Sequence, residues 1–263
     1  MVESYGGSGG GGGRGFDRRP PGGGGNWGNF GGGDWNIDSI FSMKDISPKT
    51  KAHLTRVYTT LLTSSGACGV GMWMNETLMI GGFIMMILFM FLQMFFIYQV
   101  KNPNNSEQSQ IGYLLALAFA MGFMVGPGIH AIAAVNPAML TQGVLYTTTA
   151  FGSFSAVSLF SERRSFLFLG GIISTMLSVL CMYSMVGWLM GGSSFGLGYI
   201  MCSLFVACLW IIFDTQVIIE QSEAGHKNVP DHSMTLFIDL FRLFIKILQV
   251  LQALEQNKNK KKK

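Results

Sequence analysis

The sequence predicts an all-α integral membrane protein, a bundle of seven transmembrane helices. Hydrophobic residues make up 49% of its 263 positions and charged residues only 12%, far from the balance of a soluble protein. The apolar residues gather in seven segments, about 54–74, 77–100, 111–135, 143–160, 166–190, 196–219 and 234–254. Most approach the roughly 20 residues a helix needs to cross a bilayer. With the N-terminus cytosolic, the loops on that side carry Lys101, Arg163, Arg164 and Lys227, whereas the opposite loops carry no Lys or Arg. The net charge of +4 therefore reads as topology and contact with lipid headgroups, and no nucleic-acid partner is expected.

Residues 1–33 contain sixteen glycines and cannot bury enough apolar area to offset their ordering entropy, so disorder is expected there. The N-terminus lacks the apolar core of a cleavable signal, and Met1-Val2 excludes N-myristoylation, which leaves targeting to the first span. Residues 34–53 read as an amphipathic approach, with Trp35, Ile37, Ile40, Phe41 and Ile46 suited to the membrane surface. The membrane domain then occupies 54–254. Gly126-Pro127-Gly128 is expected to interrupt the third span as a hinge, because Pro removes a donor and crowds the preceding turn while the glycines permit a bend. His130, just beyond it, is expected to be a neutral core residue, with a modulating role as the alternative. The fourth span is rich in hydroxyls (Thr147, Thr148, Thr149, Ser153, Ser155 and Ser158) that can bond back to their own helix or face inward. Ser65 and Gly69 in the first span, and Gly170, Ser174 and Ser178 in the fifth, are expected packing faces. The four cysteines fall within spans and show neither zinc spacing nor a readable disulfide framework. A basic tail, 255–263, closes the chain.

The last two spans each carry a carboxylate, at a cost of roughly 2.5–3.5 kcal/mol apiece on insertion scales, so each calls for a partner or a task. Asp214 lies six residues before Glu220, and Asp239 seven after His232. At about 1.5 Å per residue both sit about 9–10 Å deep from the same side, and an antiparallel hairpin brings them to one level. Two acids close together at low dielectric do not both ionise cheaply; they share a proton and titrate as a unit. Thr235, Asp239, Arg242, Lys246, Gln249 and Ala253 recur at helical spacing as a small or polar stripe on the seventh segment. The candidate modulators of the pair are Thr235, Arg242, Lys246, His232 and His130. In an alternative arrangement the seventh segment lies flat in the interface, with Lys246 among headgroups and Asp239 paired to Arg242. The tail poses a related choice. Seven spans would put it on the far side, yet Lys260 and Lys261 resemble a dilysine retrieval signal, which works from the cytosol. The seventh segment therefore either spans the bundle or is re-entrant.

Phe213-Asp214-Thr215-Gln216-Val217-Ile218-Ile219-Glu220, with His232 and Leu236-Phe237-Ile238-Asp239-Leu240-Phe241, resembles the C-terminal signature of the Bax inhibitor family. Upstream the resemblance continues through His53-Leu54-Thr55-Arg56-Val57-Tyr58, Gly126-Pro127, Ala134-Val135-Asn136-Pro137 and Arg163 to Gly171, in collinear order over about residues 47–263. It implies six helices around a central, partly polar C-terminal helix. It also implies a multi-pass protein of the endoplasmic reticulum membrane, a pH-sensitive calcium leak and suppression of stress-induced programmed cell death. The bilayer, protons and calcium would be its partners, calcium as permeant ion, with no resident cofactor. Asp214 and Asp239 are also candidate calcium ligands, although two carboxylates fall short of the six to eight oxygens calcium takes. The alternative is a non-conducting protein that regulates cell death by binding Bcl-2-type or other membrane proteins. Thr235 and His130 stand where some relatives carry an acid, and Arg242 replaces an uncharged residue common in the family, so the pH range is expected to differ.

Two intramembrane acids would also suit an aspartyl protease. Such proteases carry Tyr-Asp, Gly-x-Gly-Asp and Pro-Ala-Leu, whereas this chain has Phe213-Asp214, Ile238-Asp239 and Pro137-Ala138-Met139. With no Ser-His-Asp set or phosphate loop in the sequence either, no enzymatic activity is expected.

Overall fold

A computed structural model describes residues 46–78, 83–161, 166, 168–189 and 196–261. Its described residues form seven helices and no strand: α1 (Pro48–Leu78), α2 (Phe83–Lys101), α3 (Glu107–Val135), α4 (Ala138–Phe160), α5 (Leu169–Leu189), α6 (Leu197–Glu223) and α7 (Val229–Lys261). They follow the seven apolar segments in order. The glycine-rich tail, the approach segment up to residue 45, and Arg163 and Arg164 lie outside the described residues. From residue 48 the approach is already the first turn of α1, and the helix of α7 continues through most of the basic tail.

α3, α5 and α6 are long and apolar enough to cross a membrane on composition alone. The outward faces agree: Phe91, Met182 and Trp188 are 65%, 67% and 81% exposed, a surface suited to lipid rather than water. α1 and α3 pack backbone to backbone. A Cβ on Gly122 would lie 2.0 Å from the Cys68 carbonyl oxygen, and one on Gly71 would lie 2.2 Å from that of Phe119. Gly69 has open space around it, so the close-packing glycine of α1 is Gly71 and the expected Gly69 face is corrected. On α5, Gly170 receives the Phe213 ring, but Ser174 and Ser178 are exposed and bond back to Gly170 and Ser174 carbonyls. α3 is helical on both sides of Pro127. Gly126 serves close contact there, since a Cβ would meet the Asn75 side chain at 2.5 Å.

α7 is one helix of 33 residues, about 50 Å long at 1.5 Å per residue. It packs against α1, α2, α3, α4 and α6, burying Leu236, Phe237, Leu243 and Leu248 almost completely. That contact set makes it the centre of the bundle. The helix is unbroken, with no internal turn. The helix ends assigned to the cytosolic side meet one another: Arg56 pairs with Glu107, Lys101 lies 3.9 Å from Asp231, and the Ser47 amide donates to Glu223 at 2.9 Å.

Candidate functional site at the α6 and α7 interface

A tight reversal sets the site. At the end of α6 the Gly225 amide donates to the Ser222 carbonyl and the His226 amide to that of Gln221, with Gly225 at φ +96°, a left-handed conformation glycine adopts without strain. Asn228 then caps α7 by accepting from the Asp231 amide. The antiparallel hairpin so formed makes Asp214 and Asp239 side-chain neighbours, as their matched depths require.

Asp239 is 2% exposed. Its Oδ1 accepts from Arg242 Nη1 at 3.2 Å, one turn along the same helix. Its Oδ2 is buried with no hydrogen-bond donor among the described residues. A proton held between the two carboxyls would supply one. The Arg242 guanidinium also lies 5.6 Å over the Trp210 ring, which packs edge-on against Phe213. Trp210 and Asp214 share one face of α6 at i, i+4, and Asp239 and Arg242 share one face of α7 at i, i+3. The result is a carboxyl pair with one cation held against it.

The remaining candidates are dispersed. Thr235 bonds back to the Asp231 carbonyl at 3.1 Å, one turn above the pair. Lys246, one turn beyond Arg242, donates to Gln249 at 3.3 Å. His232 sits two turns from Asp239, about 10 Å along the helix, and takes no part in the pair. His130 is exposed on α3 and lines a cavity of about 210 Å³ with Glu76, so it is neither a core residue nor near the carboxyls. The side chains of Lys260 and Lys261 lie outside the described part. Among the described residues no three His, Cys, Asp or Glu side chains gather as a metal cluster, so calcium at the pair would depend on other oxygens. The four cysteines are free thiols.

Several contributors escaped the sequence reading. His53 Nε2 lies 2.9 Å from His232 Nδ1, and His232 Nε2 lies 3.1 Å from Gln221 Oε1. With the amide oxygen accepting, His232 carries its proton on Nε2 and accepts at Nδ1 from His53 Nε2, which requires the His232 ring neutral. They stand at the ends of α1 and α7, outside the apolar segments. Burial, then the His232 ring, Lys227 and Arg56, push His53 down to about 4. Burial also lowers His232, against the pull of Asp231. Deeper in the bundle the Tyr58, Ser155 and Thr215 hydroxyls are buried without a hydrogen-bond partner among the described residues, and Gln216 donates to the Ser158 carbonyl at 2.7 Å. Thus Thr147, Ser155 and Ser158 form the inward face of α4, while Thr148 and Ser153 face outward and bond back to their own helix. The helical spacing of Thr147, Ser155 and Ser158 was the available signal; the partners on α6 lie too far along the chain to be read.

Comparison with known proteins places this hairpin in a family. Residues 50–257 match the family described as inhibitor of apoptosis-promoting Bax1. The chain is 31% identical to Bax inhibitor 1 of Homo sapiens over 229 residues, covering 87% of this chain and 97% of that protein. It is 30% identical to probable Bax inhibitor 1 of Paralichthys olivaceus with the same coverage, and 31% identical to Bax inhibitor 1 of Arabidopsis thaliana over 84% and 89% of the two chains.

Proposed function

Because the chain belongs to the Bax inhibitor family of membrane proteins, we propose that it is a pH-sensitive calcium leak pathway of the endoplasmic reticulum membrane that suppresses stress-induced programmed cell death. The observation that carries the switch is the meeting of Asp214 and Asp239 across α6 and α7, with one buried oxygen lacking a donor. Sharing a proton ties the two helices together; losing it sets two like charges against each other at low dielectric, and α6 and α7 part. Arg242 bonds the Asp239 carboxyl from one turn along and so bears on the pH at which this happens. Seven crossings follow if each described helix spans, with the C-terminus opposite the N-terminus, as the unbroken α7 supports.

A second reading draws on the cations. Arg242 and Lys246 are unfavourable company for calcium in a pore, which favours a non-conducting protein that regulates death by binding Bcl-2-type or other membrane proteins. Liposomes loaded with a calcium dye separate the two. A pH-dependent leak from purified protein supports conduction, and a silent bilayer supports the second reading.

A further inference from the structure

α5 packs along α6 and stands off from α7, and a cavity of about 790 Å³ opens between them. Apolar and aromatic side chains of α5 and α6, among them Leu180, Met185, Trp188 and Trp210, form most of its wall, and Arg242 and Lys246 project into it from α7. A smaller opening of about 280 Å³ adjoins it at Lys246, lined by Gln249, Gln252 and Gln256. No acid lines either space among the described residues. Arg242 leans on Asp239, which is itself covered, and among the described residues Lys246 bonds to the neutral Gln249. With α7 crossing as proposed above, and counted from residue 234, where its apolar segment begins, the two cations lie about 12 and 18 Å along the helix, well within a hydrocarbon core of about 30 Å.

Cations at that depth call for an anion, and the wall calls for a hydrocarbon chain. We propose that this cavity binds a long-chain fatty acid, its carboxylate held by Arg242 and Lys246 and its tail laid along α5. The volume falls within the roughly 300–1,000 Å³ of sites that enclose one small ligand. The depth excludes a two-chain phospholipid, whose phosphate stays at the headgroup level. This site is independent of whether the protein conducts calcium.

The test uses the purified full chain in phosphatidylcholine nanodiscs, in mildly alkaline buffer, with stearic acid brominated in mid-chain as a quencher of tryptophan fluorescence. Trp188 and Trp210 in the cavity wall should report saturable quenching, which the double variant Trp188→Phe, Trp210→Phe removes. Lys246→Gln, which leaves the Asp239 pair untouched, should weaken the apparent Kd roughly tenfold, as loss of a charge-assisted bond does. The brominated methyl ester, with the same tail and no charge, should show no saturable component on the unaltered protein. Equal quenching by ester and acid, unchanged affinity in Lys246→Gln, or a saturable component produced by brominated phosphatidylserine would each overturn the proposal.

Discussion

Asp239 and Arg242 share an ion pair in which the acid is 2% exposed and the base 42%, so the two ends are not equivalent. Removing the base orphans a buried carboxylate, which costs about 3–5 kcal/mol when nothing compensates. Here Asp239 has a neighbouring acid to share a proton with and Arg242 is partly solvated, so Arg242→Gln should cost about 1–2 kcal/mol of stability. In an Asp239→Asn background the same change should cost less, by thermal unfolding in detergent; equal costs would show the pair is not coupled. The histidines give a second prediction. A group held neutral below its ordinary range stabilises fully above the unfolded value of 6.5, and that contribution is lost as pH falls toward about 4, where His53 finally takes a proton. Melting temperature should therefore drop over that window, and His53→Gln should flatten the drop; an unchanged slope would remove His53 from the balance. Asp214 and Asp239 were legible because both could be measured from one loop. His53 was not, because its partner lies 179 positions away and only the fold joins them.

Helix positions were readable from hydropathy, but which face packs was not. Small residues at helical spacing pointed to Gly69 on α1, whereas the fold uses Gly71, since spacing cannot say which side meets a neighbour. The contrast can be measured. Gly122→Ala pushes a methyl against the Cys68 carbonyl, forces α1 and α3 apart and should cost about 2–3 kcal/mol. Gly69→Ala meets nothing within 4 Å and should change stability by less than about 0.5 kcal/mol. Melting temperatures of the two variants test the assignment, and the reverse order would mean that the α1 and α3 crossing is wrong. Pro127 lies inside α3, where α1 packs along the helix at Asn75.

The sequence left α7 poised between spanning, lying flat and turning back, because its stripe of polar residues suits all three. Packing decides in favour of a central helix, since five neighbours surround it and its acid is buried. If α7 crosses, as proposed, Lys260 to Lys263 lie opposite the cytosol, and replacing them with Ser should leave the cellular distribution unchanged. Movement to later secretory compartments would instead establish a cytosolic retrieval signal. The proton switch itself is tested most directly by calcium release from dye-loaded liposomes, recorded across pH for the unaltered chain, Asp214→Asn, Asp239→Asn and the double variant. Each single substitution should flatten the pH dependence, and the double should add little to either, because the two carboxyls act as one unit. A steep response surviving in both single variants, or effects that simply add, would contradict a shared proton.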